Sequence, residues 1–117
     1  MRDQLVIQTD RVYTIQRTPQ GVVCTVSGSP LPLRLDLWNH SPTGFEFGYG
    51  GSGPAQLALA ILADHLGDDR QALDAYQRFK WAVIVELPRK RSWTLTDQVI
   101  DQILQNIRNY EAEGVAA

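Results

Sequence analysis

The hydrophobic pattern of the chain changes its period at a glycine-rich segment near the middle. Before residue 50, apolar residues form short runs or alternate with polar ones, which is the pattern of β-strands. From Gly53 onward they recur every three or four residues, which is the pattern of α-helices. Strands first and helices afterwards predict an α+β fold, in which an antiparallel sheet of about four strands is followed by three helices packed on one face.

Four segments are predicted to form the sheet in meander order, namely 12–17, 22–26, 33–38 and 45–49. The first two are rich in β-branched residues and flank a short loop, as in a hairpin. The last two alternate apolar with polar side chains, which is typical of a strand with one buried face. Residues 27–32 contain a glycine and two prolines and are predicted to be a turn. The apolar run Leu5–Ile7 is either a further edge strand or an ordered lead-in.

Three helices are predicted in the second half of the chain. The first begins at Pro54, in the first helical position, and ends at Gly67. The second is capped by Asp68 or Asp69 and ends before Pro88, unless residues 83–85 form a short strand. The third follows the residues 92–95 and has Thr96 as its N-cap. The length of 117 residues fits one domain over residues 1–117, with 1–10 and 114–117 loosely ordered.

Composition and charge exclude several classes of protein. The single cysteine, Cys24, has no partner for an internal disulfide and is expected to be a small buried hydrophobe. With only two histidines beside it, neither a zinc site of the common Cys/His kind nor any other metal or cofactor is predicted. A net charge of −2 disfavours nucleic acid as a partner. Without a signal peptide or a spanning apolar run, we expect a cytoplasmic protein with no membrane partner.

Five of the nine glycines lie between Gly44 and Gly53. Gly48, Gly50 and Gly53 spell the pattern G-x-G-x-x-G, which in dinucleotide-binding folds brings a pyrophosphate to a helix N-terminus. The context does not match that fold, because no parallel strand with a terminal acid follows the helix. Pro54 also removes one of the N–H groups that a pyrophosphate would use, and no Lys-Ser or Lys-Thr pair follows the glycines. Classical NAD or ATP binding is therefore not predicted.

Two interpretations of the glycine segment remain open. It is either a tight strand-to-helix corner or a cradle whose backbone N–H groups bind a small anionic, nucleotide-like ligand. In the second case aromatic side chains stack on a base, a histidine hydrogen-bonds a phosphate and a lysine supplies the counter-charge. The candidate ligand-binding residues are Thr43, Tyr49, Gly50, Gly51, Ser52, Gly53, Gln56, His40 and Lys80.

Catalysis is not the favoured interpretation. A small hydrolase or transferase would require His40, Glu46 and Ser52 to converge, and no pair of carboxylates is spaced for acid–base work. No catalytic residue is therefore predicted. The only basic run, Arg89–Arg91, is either a solvated loop or, if it folds back onto the glycine segment, a source of counter-charge for a phosphorylated ligand.

The residues 41–45 (SPTGF) and 48–62 (GYGGSGPAQLALAIL) carry a family resemblance that continues to Thr96. They resemble a family of small uncharacterised proteins, a domain of unknown function found in bacteria, their mobile elements and phages. The resemblance implies a bacterial, mobile-element or phage setting. It implies no reaction, because no enzymatic activity is established for the family. In that context the favoured function is non-catalytic binding, for example sequestering an immune signalling nucleotide, with a homo-oligomer as an option. The alternative is a protein–protein interaction module that inhibits a host defence complex.

Overall fold

A computed structural model describes residues 11–116, and the side chains of residues 11–113. The elements in chain order are β1 (Val12–Thr18), β2 (Gly21–Val26), β3 (Ser29–Pro30), α1 (Ser52–Leu66), α2 (Asp69–Ala82), a 3-10 helix (Ile84–Glu86), β4 (Trp93–Thr96) and α3 (Asp97–Ala116). The predictions made for residues 1–10 and 117 lie outside the described residues, whereas residues 114–116 continue α3.

The α+β fold with a four-stranded antiparallel sheet and three helices is confirmed, but the sheet is not a meander of the predicted strands. Its order is β3-β2-β1-β4. The strand β4, which pairs with β1, follows α1 and α2 in the sequence. The predicted hairpin of the first two strands is confirmed, with Tyr13 opposite Val26 and Thr18 opposite Gly21. The sheet turns Tyr13 and Ile15 into the core, where the helices cover them.

The predicted strand over 33–38 is wrong. Residues 35–37 form a turn, closed by the N–H of Leu37, which donates to the carbonyl oxygen of Arg34 over 3.0 Å. Arg34 itself has a φ of 57°, which no strand residue adopts, and its guanidinium pairs with the carboxylates of Asp36 and Asp69 at 3.1 Å. The alternation of apolar and charged residues in this segment therefore arises in a folded loop.

The predicted strand over 45–49 is reduced to one bridge, in which Phe45 pairs with Val22. The chain leaves the strand path at Gly48, whose φ is 88°. Two other segments take the vacant places in the sheet. β3 falls within the predicted turn, and β4 falls in the segment that was predicted to lead into the third helix, where Ile15 pairs with Trp93.

The helix ends follow their local signals. Gly67 ends α1 in the left-handed conformation, with φ 64°, and Asp68 caps α2 by accepting from the N–H of Gln71 over 3.0 Å. Thr96 caps α3 by accepting from the N–H of Val99 over 3.2 Å. One boundary differs from the prediction, because α1 begins at Ser52, before Pro54, whereas α2 ends at Ala82, before Pro88 as predicted.

The core is built around α1, which is buried without interruption from Gly53 to Ala63. This helix lies between the sheet and α2, and the Tyr13 hydroxyl of β1 donates to the Asp64 carboxylate near its end over 2.5 Å. Cys24 is 3% exposed, and burial raises the pKa of its thiol to about 12, so the expected buried hydrophobe is confirmed. None of the helices in residues 11–116 is long and apolar enough to cross a membrane.

Candidate functional site

The glycine segment is tightly packed by residues of α2 and of the segment that follows α2. At Gly48 the positive φ is matched by close neighbours, because an added Cβ would lie 2.8 Å from the carbonyl oxygen of Leu87 and 2.1 Å from Cγ of Arg89. At Gly50 an added Cβ would lie 2.6 Å from the six-membered ring of Trp81. The corner interpretation is therefore physically sound, since both glycines let other parts of the chain approach the backbone closely.

The same corner presents free backbone N–H groups at the start of α1. The helix follows Gly51, which is extended and provides no side-chain cap, and its first turn contains no acidic residue. Within residues 11–116, the N–H groups of Gly50, Gly51, Ser52 and Gly53 have no hydrogen-bond partner. These donors stand at the positive end of the helix dipole of a 15-residue helix, which favours an anion.

Lys80 places a positive charge on the aromatic ring that covers Gly50. It is only 8% exposed, and its ammonium group lies 4.5 Å from the ring centroid of Trp81, the same ring that covers Gly50. Among the described residues it has no hydrogen-bond or ion-pair partner. Buried lysines are rarely left without a partner, because desolvation of the ammonium group is costly. Its three N–H donors are thus available to a ligand.

His40 is close enough to Lys80 to be affected by its charge. Its Nε2 shares a hydrogen bond of 2.7 Å with the hydroxyl of Tyr76, and its ring stacks on Trp38 with centroids 5.9 Å apart. Burial lowers the pKa of the imidazole, and the positive charge of Lys80 lowers it further. Both causes favour the neutral imidazole, and an anion beside Lys80 would favour its protonation.

Gln56 holds the loop that carries His40. The side chain is fully buried, and its Oε1 accepts from the N–H groups of His40 and Ser41 over 2.8 and 3.0 Å. Its Nε2 donates to the carbonyl oxygens of Leu33 and Trp38 over 2.6 and 3.0 Å. All of its polar positions are occupied by the backbone, so its role in the site is to position the loop.

Thr43, Tyr49 and Gly53 line a polar cleft of about 300 Å³. Glu46 also faces this cleft, but its carboxylate receives two hydrogen bonds from the guanidinium of Arg17, at 2.8 and 3.1 Å. These bonds lower the pKa of Glu46, so the carboxylate stays ionised. Its negative charge is paired with the positive charge of Arg17. Of the candidate residues, Thr43, Tyr49 and Gly53 thus share one cleft, whereas His40, Gly50 and Lys80 are not part of its lining.

Two functional candidates were missed or left open by the sequence. Trp81 contacts both Lys80 and Gly50. The one sequence signal for these contacts was the position of Trp81 next to Lys80. Arg89, from the basic run, does fold back onto the segment, where its side chain crosses Gly48 and its guanidinium carbon lies 5.2 Å from the ring centroid of Tyr49.

The catalytic arrangement considered from the sequence is not assembled by hydrogen bonds. Glu46 is bound by Arg17 and His40 by Tyr76, and no hydrogen bond links either of them to Ser52 among the described residues. Within the same part of the chain, no three His, Cys, Asp or Glu side chains come together as metal ligands would. The polar groups of the corner are suited to binding an anion.

A second surface feature lies between α2 and α3. It is an apolar groove of about 560 Å³, and its lining includes Trp81, Val83, Ile103, Ile107 and Tyr110. The ion pair between Arg78 and Glu111, at 2.8 Å, stands at its margin. The groove shares Trp81 with the glycine corner.

Comparison with known proteins gives one match. Residues 13–106 match a family model described as a family of unknown function, DUF6166. No curated protein and no solved structure matches the sequence. The match covers all four strands except the first residue of β1, both α1 and α2, and half of α3, and so includes the whole glycine corner.

Proposed function

We propose that this chain, which belongs to the family of unknown function DUF6166, is a non-catalytic protein that binds a small anionic, nucleotide-like ligand at the N-terminus of α1. The anion would lie against the free N–H groups of residues 50–53, with Lys80 as its counter-charge. Binding of this kind needs no general base, which agrees with a site made of backbone donors and one ammonium group.

The observation that carries the proposal is the environment of Lys80. A lysine with 8% exposure, whose ammonium group contacts the ring of Trp81 but has no hydrogen-bond or ion-pair partner among the described residues, destabilises the folded chain unless something compensates its charge. A bound phosphate supplies the missing partner, because it offers oxygens to both the ammonium and the backbone N–H groups.

The aromatic residues around the corner favour a ligand with a planar group. Trp38, Tyr49 and Trp81 are 57%, 40% and 58% exposed, which is unusual for large aromatic side chains. Trp81 covers Gly50, and Tyr49 lies against Gly51, so both rings adjoin the proposed anion position. A nucleobase attached to the phosphate would stack on one of them. In a phage or mobile-element setting, such a protein would act by sequestering an immune signalling nucleotide.

Thermal-shift and calorimetric titrations with mononucleotides, cyclic and linear dinucleotides and inorganic phosphate test the proposal. We expect at least one phosphorylated ligand to raise the Tm, as ligands that bind only the folded state do. Lys80→Met should abolish this shift, whereas Arg70→Gln, which removes an exposed cation from the start of α2, should leave it unchanged. The proposal is wrong if no phosphorylated ligand stabilises the chain, or if Lys80→Met binds as tightly as the wild type.

The apolar groove between α2 and α3 favours a second candidate function, a protein–protein interaction module that inhibits a host complex. Its rim carries Trp81 and Tyr110, which is 77% exposed, and exposed aromatic side chains are frequent anchors at interfaces. This function predicts that Tyr110→Ala abolishes a stoichiometric complex with one purified host protein while nucleotide binding is unchanged. Loss of that complex on Lys80→Met but not on Tyr110→Ala would instead assign it to the glycine corner.

A further inference from the structure

We infer that the ligand of the glycine corner is a single-stranded oligonucleotide, and that the corner is the first of three adjoining cation–aromatic pairs that bind it. The inference rests on the proposed function, because it extends the same anion site and names its ligand class. The three pairs, which we call the basic aromatic row, are Lys80 on Trp81, Arg89 on Tyr49 and Arg91 on Trp93.

The geometry of the three pairs is similar. The cationic atom lies 4.5 Å from the ring centroid in the Lys80 pair. In the Arg89 and Arg91 pairs the guanidinium carbon lies 5.2 and 4.9 Å from the centroid. All three distances are within the range of about 6 Å in which a cation is attracted by the ring. Each pair therefore places a positive charge and an aromatic surface at one point.

The pairs adjoin one another along the molecule. Trp81 covers Gly50, the residue that follows Tyr49, so the first and second pairs are neighbours. Arg89 and Arg91 are two residues apart, which separates their backbones by no more than about 7 Å. Trp93 is fixed at the end of the row, because its indole N–H donates to the carbonyl oxygen of Pro88 over 3.0 Å. The row thus continues from the α1 N-terminus to β4.

Within the described residues the cations of the row have no carboxylate partner, a property that they share with Arg70, Lys90 and Arg108. Four other arginines form ion pairs, namely Arg11, Arg17, Arg34 and Arg78. In the part of the chain that the structure describes, no carboxylate forms an ion pair with Lys80, Arg89 or Arg91. Between Arg78 and Arg91 the sequence has five basic residues and one acidic residue, Glu86. The surface is locally positive although the net charge of the chain is −2.

Alternating cations and aromatic rings match the chemistry of a single strand. Its phosphates contact the cations, and its unstacked bases lie on aromatic rings or guanidinium planes. A duplex keeps its bases stacked inside and would use the charges alone. A net negative charge gives no long-range attraction to nucleic acid. The net charge of the whole chain does not show that its basic residues are concentrated between residues 78 and 91. The expectation that nucleic acid is disfavoured rested on that net charge and on the small size of the basic run 89–91.

A length series tests the inference. The probes are thymidylate and uridylate mononucleotides, dinucleotides and tetranucleotides, with a duplex of eight base pairs, in calorimetric titrations at fixed salt. We expect the tetranucleotide to bind at least about tenfold more tightly than the mononucleotide, since stacking of each added base contributes measurably. Arg91→Gln should remove this gain, because Arg91 belongs to the part of the row that only a longer strand reaches. Lys80→Met should weaken binding of both the mononucleotide and the tetranucleotide, and Arg108→Gln, an exposed cation on α3, should weaken neither.

The outcomes separate the inference from the proposed function. If mononucleotides bind and tetranucleotides bind no more tightly, the inference is overturned and the proposed function stands. If the duplex binds as tightly as the single strand, the row recognises charge alone, and the inference is again overturned. If no phosphorylated compound of any length binds, both are wrong. If Arg91→Gln still binds the tetranucleotide more tightly than the mononucleotide by the same factor, the basic aromatic row is not the binding surface, and the inference is overturned.

Discussion

The ring of Trp81 lies so close to Gly50 that a β-carbon on the glycine would stand 2.6 Å from it. This contact packs the C-terminal part of α2 against the glycine segment. The ammonium group of Lys80 lies 4.5 Å from the centroid of the same ring. The absence of a side chain at Gly50 therefore has two consequences. It allows the corner to pack, and it lets the ring that contacts the Lys80 ammonium lie against the backbone at Gly50.

Alanine at Gly50 should separate these two consequences. Trp81 is 58% exposed and can rotate away from a methyl group, so we expect Gly50→Ala to lower the free energy of unfolding by less than about 1 kcal/mol. The displaced ring would no longer hold the ammonium of Lys80, and nucleotide affinity should fall. Urea unfolding and calorimetric titration measure the two effects. An unchanged affinity with a displaced Trp81 would contradict the role given to this ring.

Alanine at Gly48 should behave differently. Here φ is 88°, and the added Cβ would lie 2.8 Å from a backbone oxygen, that of Leu87, which cannot rotate away. We expect Gly48→Ala to lower the free energy of unfolding by about 1–3 kcal/mol. The comparison of the two variants in urea is the measurement, and a Gly48→Ala variant as stable as Gly50→Ala would show that the loop relaxes freely.

Gln56 should be essential to the fold, although it was a candidate ligand-binding residue. Gln56→Leu keeps the size of the side chain but removes hydrogen bonds to four backbone groups of the segment 33–41. Leaving such groups unsatisfied should lower the free energy of unfolding by about 2–4 kcal/mol. The control is Gln98→Leu, at an exposed position of α3, which should change it little. Equal stability of the two variants in urea would disprove the positioning role.

The loop that Gln56 holds also shows what the sequence could predict. The helices and the hairpin follow from local patterns, and so their periodicity and caps located them correctly. The segment 33–38 has the alternation of a strand, but the positive φ of Arg34 and the bonds from a buried glutamine in α1 fold it into a loop. Those bonds join residues far apart in the sequence, and no local pattern contains them.

β4 was missed for the related reason that its partner is distant. Trp93–Thr96 has the composition of a strand but only four residues, and it pairs with β1 across most of the chain, Val12 opposite Thr96. In the site, the concentration of glycines and the basic run were visible in the sequence. Their meeting, through Trp81 and Arg89, depends on how α2 packs against α1, which spacing alone does not determine.

Cys24 should be unreactive in the folded protein. It is 3% exposed and burial raises its thiol pKa to about 12, so almost no thiolate is present at pH 8. We expect a disulfide reagent such as dithionitrobenzoate to label it only as fast as the chain unfolds. In 6 M guanidinium chloride labelling should be complete within minutes. Rapid labelling without denaturant would mean that the second strand opens locally.

The ion pair of Glu46 with Arg17 should make stability depend on pH in the acid range. The hydrogen bonds from Arg17 lower the pKa of Glu46 below its unfolded value of about 4.5. A lowered carboxyl pKa contributes stability that is present above about pH 4.5 and is lost as the pH falls through the folded pKa. Urea midpoints measured from pH 6 to pH 3 should therefore decline more steeply for the wild type than for Glu46→Gln. Parallel declines would place the acid sensitivity elsewhere.

His40 should report on the proposed site through its titration. In the free protein its pKa lies below the ordinary value of 6.5, first because the ring is buried and second because Lys80 is near. Lys80→Met removes the second cause and should raise the pKa in part, while burial continues to hold it below 6.5. A phosphate bound beside Lys80 should raise it in the wild type, because a negative charge favours the imidazolium.

The imidazole C2 proton resonance, followed by NMR from pH 5 to pH 8, measures this titration. The chain has only one other histidine, His65, so a His65→Gln variant assigns the His40 signal. His65 lies between the carboxylates of Asp97 and Asp101, near the other end of α1, and should not respond to the ligand. If phosphate leaves the His40 titration unchanged while still raising the Tm, the anion binds elsewhere, and Lys80 is not its counter-charge.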